Sequence, residues 1–167
     1  MKLLHRISEI IDSVINVIGR SVSWISLLLI LLICVDVVMR YFLQTSKIWM
    51  VELEWHLFSI LFLFGASYTL LHDKHVRVDL FYENFSERNK RLANAIGILT
   101  LVIPWCFIVL LTSWDYATNS FSFRENSPQP GGLPARYIIK YVIFFGYLLL
   151  LLQALSELIR CFKPKSA

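Results

Sequence analysis

Charge is missing from long parts of this sequence. No Asp, Glu, Lys or Arg occurs in residues 21–35, 55–71, 92–114 or 141–156 of the 167-residue chain. Tolerating a charge near either end brings each run close to the roughly 20 residues that a helix needs to cross a bilayer. The runs and their connectors occupy nearly the whole chain, which leaves no room for a soluble catalytic domain. Cysteine is also scarce. Cys34, Cys106 and Cys161 stand apart, without a CxxC pair, which argues against a structural disulfide or a thiol-redox centre. Cys34 and Cys106 fall in apolar runs, where cysteine acts as a small hydrophobe. Nucleotide-binding, zinc-protease and haem-attachment motifs (GxxxxGK(S/T), GxGxxG, HExxH, CxxCH) are absent. The only histidines near an apolar run, His56 and His72, sit at opposite ends of one predicted helix. That spacing excludes bis-histidine haem ligation within the chain.

What is present is apolar. Hydrophobic residues make up 57% and charged residues 17%, against about 45–50% and 25% in ordinary globular domains. Aromatic residues, at 14%, suit interfacial belts. The net charge of +4 does not signal nucleic acid, because the basic residues lie between apolar runs. They read as topology signals and contacts to lipid head groups.

These features predict an all-α integral membrane protein forming a single membrane domain over residues 1–167. Four spans are expected at about 18–40, 49–71, 92–114 and 137–159. Ahead of them, Leu3, Leu4, Ile7, Ile10, Ile11, Val14, Ile15 and Ile18 form a helical stripe among polar residues. An amphipathic interfacial helix running into the first span fits that stripe. No small-residue cleavage site follows it closely, so the first span is expected to be retained. Eleven basic residues fall on one side of this arrangement: Lys2, Arg6, Arg20, Lys74, Arg77, Arg88, Lys90, Arg91, Arg160, Lys163 and Lys165. Arg40, Lys47, Arg124, Arg136 and Lys140 fall on the other. The positive-inside rule then places both termini in the cytoplasm. Tyr41, Trp49, Trp114, Tyr116, Tyr137 and Tyr141 mark the outer boundary as interfacial anchors.

A few polar positions interrupt the pattern. Asp36 and Arg40 are four apart, acid first, so an ion pair along one helix face is expected. A snorkelling local pair and a contact with a neighbouring helix or subunit both remain open. Glu52 and Glu54 suit the positive end of the second helix and point to different faces. Glu52 shares a face with His56, which raises a proton relay as one reading. Gly65-Ala-Ser67 reads as a packing site for a close helix. HxxH at His72 and His75 lacks a well-placed third ligand for a metal. Pro104 inside the third span predicts a kink, since it removes a donor and crowds the Thr100 carbonyl. In the outer connector 115–134, the first half can extend the third helix. Pro128, Pro130, Gly131, Gly132 and Pro134 end any helix in the second half.

Four segments carry a family resemblance. Asp36-Val-Val-Met-Arg-Tyr41, Trp49-Met-Val-Glu-Leu-Glu-Trp55, Gly65-Ala-Ser-Tyr68 and His75-Val-Arg-Val-Asp79 occur in that order. Together they resemble the small, DctQ-like permease subunit of tripartite ATP-independent periplasmic (TRAP) transporters, from about Gly19 to Phe162. The loop from Glu125 to Pro134 resembles a branch of that family tied to organic-acid systems. The resemblance implies a non-catalytic subunit of the bacterial inner membrane. Its implied partners are a large permease subunit that carries the solute and sodium sites, and a periplasmic solute-binding protein that delivers the organic acid. Membrane lipid surrounds it.

On this reading no catalytic residue, cofactor or metal is expected. Arg40, Trp49, Glu52, His75 and Asp79 are the partner-contact candidates. Arg124, Glu125 and Arg136 are the candidates for docking the binding protein. Two other classes stay open: a membrane anchor for a redox enzyme, and a small independent exporter.

Overall fold

The computed structural model describes residues 2–72 and 85–161. The described residues are helical, without strands, in the order α1 (Lys2–Phe42), α2 (Ile48–Leu71), α3 (Glu87–Gly97), α4 (Ile103–Ser122) and α5 (Tyr137–Cys161). A π-helical turn, Ile98–Val102, joins α3 to α4. Four helices are long and apolar enough to cross a membrane: Leu3–Phe42, Ile48–Leu71, Arg88–Ser122 and Tyr137–Cys161. One end of the bundle carries Phe42, Ile48, Ser122 and Tyr137 and is termed the loop end. The opposite end, near both chain termini, is termed the terminal end.

The helix α1 is unbroken. At 1.5 Å per residue its 41 residues span about 60 Å, roughly twice the hydrocarbon thickness of a bilayer. The amphipathic N-terminal stripe and the first apolar run are therefore one rod. Its buried residues are Ser8, Ile15, Val22, Leu29 and Asp36, in a strict seven-residue repeat, plus Gly19. Ile11, Ile18, Ile25, Leu32 and Met39 are half-buried between them. This is the narrow seam of a coiled-coil-like contact. Leu3, Leu4, Ile7, Ile10, Val14 and Val17 point away from the bundle. The N-terminal stripe thus turns its apolar edge outward and its Ser8–Asp12 edge inward.

The seam changes partner along its length. Near the terminal end, Ser8 and Asp12 meet Ser156 of α5. Farther along, Gly19 lies under Tyr68 of α2, where a Cβ would come 2.1 Å from the Tyr68 ring. Only a hydrogen at that position lets the helices approach so closely. The other close approach is Gly146 of α5 against Leu63 of α2, where a Cβ would sit 2.8 Å from Leu63 Cβ. Gly65, by contrast, has open space around it. Within the Gly65-Ala-Ser67 segment it is Ser67 that is buried, its hydroxyl donating to the Phe64 carbonyl at 2.8 Å.

The sequence places a kink at Pro104, and the structure answers with the π turn just ahead of it. Widening the helix over Ile98–Val102 accommodates the missing donor and the ring of Pro104. Ile98 then packs with Leu70 of α2 and Ala154 of α5 in the one buried apolar cluster among the described residues. The helix α5 is the hub, packing on α1, α2, α3 and α4.

Candidate functional site

At the loop end, Glu52 faces the connector between α4 and α5. It lies in the first turns of α2, and its Oε2 accepts the Leu133 N–H at 2.6 Å while Oε1 accepts the Ser127 hydroxyl. The loop between α4 and α5 is shaped to reach it. The Ser127 N–H donates to the Leu133 carbonyl at 3.1 Å, and the Ala135 N–H donates to Asn126 Oδ1 at 3.0 Å. Gly132 sits tight against this contact: a Cβ there would lie 2.3 Å from Ser127 Oγ and 2.7 Å from Glu52 Oε2. Gly131, at φ +81°, adopts the left-handed conformation that glycine takes without strain. The His56 Nδ1–H donates to the Glu52 carbonyl at 2.5 Å, not to its carboxylate. Glu52 and His56 therefore form no relay through their side chains.

A second knot closes the same loop. Glu125 accepts hydrogen bonds from Lys140 of α5 and from Ser120 of α4. The Lys140 ammonium and the Ser120 hydroxyl hold the Glu125 carboxyl below the usual carboxylate range. Lys140 also sits over the Tyr116 ring at 4.0 Å, and Arg136 over the Trp55 ring at 5.7 Å. Such cation–π contacts hold the bases of long cationic side chains at an interface. The helix α4 continues to Ser122 before the loop begins, as the first half of the connector predicts. Of the docking candidates, Glu125 and Arg136 are thus engaged inside the chain, and Arg124, at φ +47°, is exposed.

Asp36 and Arg40 form the expected i,i+4 ion pair. Asp36 is only 2% exposed, whereas the Arg40 side chain is 52% exposed. Glu54, on the other face of α2 from Glu52, lies within electrostatic reach of both. Trp49 is 41% exposed at the start of α2. His75 and Asp79 lie outside the described residues.

The terminal end holds a cluster that sequence reasoning left unassigned. Asp12 of α1 accepts from Arg160, from the Ser156 hydroxyl at 2.9 Å and from Gln153 Nε2 at 3.1 Å. The Ser8 and Ser156 hydroxyls are 2.6 Å apart, and Glu157 lies 3.7 Å from Arg160. The available signal was Gln153, a lone amide in the otherwise apolar run 141–156. Among the described residues no group of three or more His, Cys, Asp or Glu side chains is placed to hold a metal.

Two polar clasps close a helical bundle whose outer faces are apolar. The family model for the DctQ component of tripartite ATP-independent periplasmic transporters matches residues 29–163. The chain belongs to this family, which is a transporter component and not an enzyme family. No curated protein matches the chain.

Proposed function

We propose that this small TRAP permease subunit is a non-catalytic membrane scaffold. It packs against the large permease subunit, stabilises it, and so supports sodium-driven uptake of an organic acid brought by a periplasmic binding protein. It forms one membrane domain in the inner membrane, with both termini cytoplasmic and the 123–136 loop outside. The observation that carries this reading is the placement of the charged side chains. They gather at the two ends of the bundle, while the middles of the four apolar runs hold no charged residue. A transport route of its own needs ionisable or broken-helix elements near the midplane, and Pro104 with its π turn is the one such interruption among the described residues. Apolar residues that face outward on α1 and α4, among them Leu28, Leu31, Trp105 and Ile108, offer surface for lipid and for a larger neighbour.

The loop is the proposed receiving surface for the binding protein, with Arg124 as its exposed charge. Its support is the fixed shape that Glu52 and Glu125 impose. Arg40, Trp49, Glu52, His75 and Asp79 are the proposed contacts to the large subunit.

Reconstitution with purified components tests the reading. Uptake should need this chain, the large permease and the binding protein together, and the two membrane subunits should co-purify. With Arg124→Glu, uptake should fall at limiting binding protein and recover in excess, because rim charges tune encounter more than affinity. Sodium-driven uptake by this chain alone would overturn the scaffold role.

A further inference from the structure

The acidic pair between α1 and α2 near the loop end is left incomplete by the chain itself. Arg40 satisfies Asp36 Oδ2, but Asp36 Oδ1 is buried with no hydrogen-bond partner. Glu54 Oε1 is buried and unpartnered in the same way. Both oxygens lie in an apolar setting, where an unpartnered polar atom is costly and an unpaired charge far more so. The local count is two carboxylates against one guanidinium. That guanidinium is half exposed.

Beside Glu54 the surface is hollow. A groove of about 300 Å³ runs between the two helices, lined by Leu29, Ile33, Val51, Glu54, Trp55 and Phe58. Ile33, Val51 and Phe58 are exposed, so the groove opens sideways, away from the rest of the bundle. Asp36 is six residues from the end of α1 and Glu54 six residues from the start of α2. At 1.5 Å per residue both lie about 9 Å below the helix ends, a depth that a neighbouring membrane helix reaches.

We propose that this groove receives a lysine or arginine side chain from a membrane helix of the large permease subunit, which completes the Asp36–Glu54–Arg40 cluster. The inference rests on the scaffold reading above. Charge complementarity selects the occupant: one cation neutralises the surplus carboxylate and offers N–H groups to both orphaned oxygens. The apolar walls take its aliphatic stem. A guanidinium suits two separated acceptors especially well, since its donors are set in a planar fork. The competing arrangement is closed within the chain: a proton on Glu54 donated to Asp36, with no partner needed.

Glu54→Gln separates the two. Glutamine keeps the shape and can donate its amide to Asp36, so it preserves the closed arrangement but removes the charge that a partner cation requires. Recovery of the large subunit with the Glu54→Gln chain should fall at least about tenfold, since truncating one member of a buried charge pair weakens a complex by that much or more. The melting of the isolated Glu54→Gln chain in detergent should match wild type. Undiminished recovery of the complex would overturn the proposal, as would a lower melting temperature of the isolated variant. Failure of the wild-type chain to co-purify at all would instead overturn the scaffold reading beneath it.

Discussion

The two ends of the bundle are held by different means. At the loop end, polar contacts run through the 123–136 connector and tie α2, α4 and α5 together via Glu52 and Glu125. At the terminal end the polar contacts among the described residues run from helix to helix. Side chains of α1 and α5 meet directly, although Asp12 and Arg160 are 148 residues apart in sequence. The charged pair of α1 at the loop end, Asp36 and Arg40, bonds within its own helix. The long first helix is thus clasped at one end and open at the other. Helices in lipid gain little from hydrophobic burial against each other, so small-residue contacts and polar clasps set how they pack. The clasped end ties α1 to α5, and at the other end Asp36 and Glu54 each keep an oxygen without a hydrogen-bond partner among the described residues.

Asp12→Ala should break this contrast most severely. It strands Arg160, Gln153 and Ser156, and the loss of a buried partner costs several kcal/mol. Arg160 is 40% exposed, which lowers the expected loss to about 1–3 kcal/mol. Unfolding of the purified chain in detergent measures it. A Ser8→Cys/Ser156→Cys pair, which should cross-link efficiently in the parent, reports whether α1 has come away. Unchanged stability and cross-linking would mean that the terminal clasp does not hold the helix.

Glu52→Ala should have a smaller and more local effect. The Leu133 N–H and the Ser127 hydroxyl lose their acceptor, and the connector comes off α2 while the helices stay packed. Tryptic cleavage at Arg124 and Arg136 should speed up several-fold, because local opening governs proteolysis of a folded chain. The melting temperature should barely move. A large drop in melting temperature with no change in cleavage would show that Glu52 serves the helix and not the loop.

The mildest change comes from acid. Glu125 is held below its ordinary value of 4.5 by Lys140 and Ser120. A carboxyl lowered in the folded state contributes stability above its unfolded value, and that contribution is lost as pH falls through the lowered one. Hydrogen exchange of the loop amides, corrected for intrinsic rates, should therefore rise only below about pH 4.5. Glu125→Gln should remove this step. A loop equally protected at all acidities would show that the Glu125 bonds do not secure it.

Much of the fold was legible in advance. The charge-free runs 55–71 and 141–156 fall wholly within α2 and α5, because a helix that crosses lipid must be apolar on every side over that length. Acid and base four residues apart gave the Asp36–Arg40 pair, a purely local relation. Pro104 marked where the third rod would depart from α-helix. The candidate site was less legible. Glu52 looked like a surface available to a partner, yet it binds the connector, because whether a carboxylate finds Ser127 and Leu133 depends on how a loop 75 and 81 residues away folds back. The terminal clasp left one trace, the amide of Gln153 in an apolar run, but its partners were hidden for the same reason. Nothing near Asp12 in sequence points to Gln153, Ser156 or Arg160.

The sequence by itself determined that this chain is membrane helix with polar ends, and its ordered motifs pointed to the TRAP small-subunit family. Those properties follow from composition and from spacings within one turn or one span. Only the tertiary structure decided which side of each helix is inward. An apolar surround does not sort leucine from isoleucine by face, so hydrophobicity alone leaves the rotation of every helix undetermined. Close approach at Gly19 and Gly146, and hydrogen bonds to Asp12, Glu52 and Glu125, fix that rotation. In doing so they leave Asp36 and Glu54 each with an oxygen that no group among the described residues reaches.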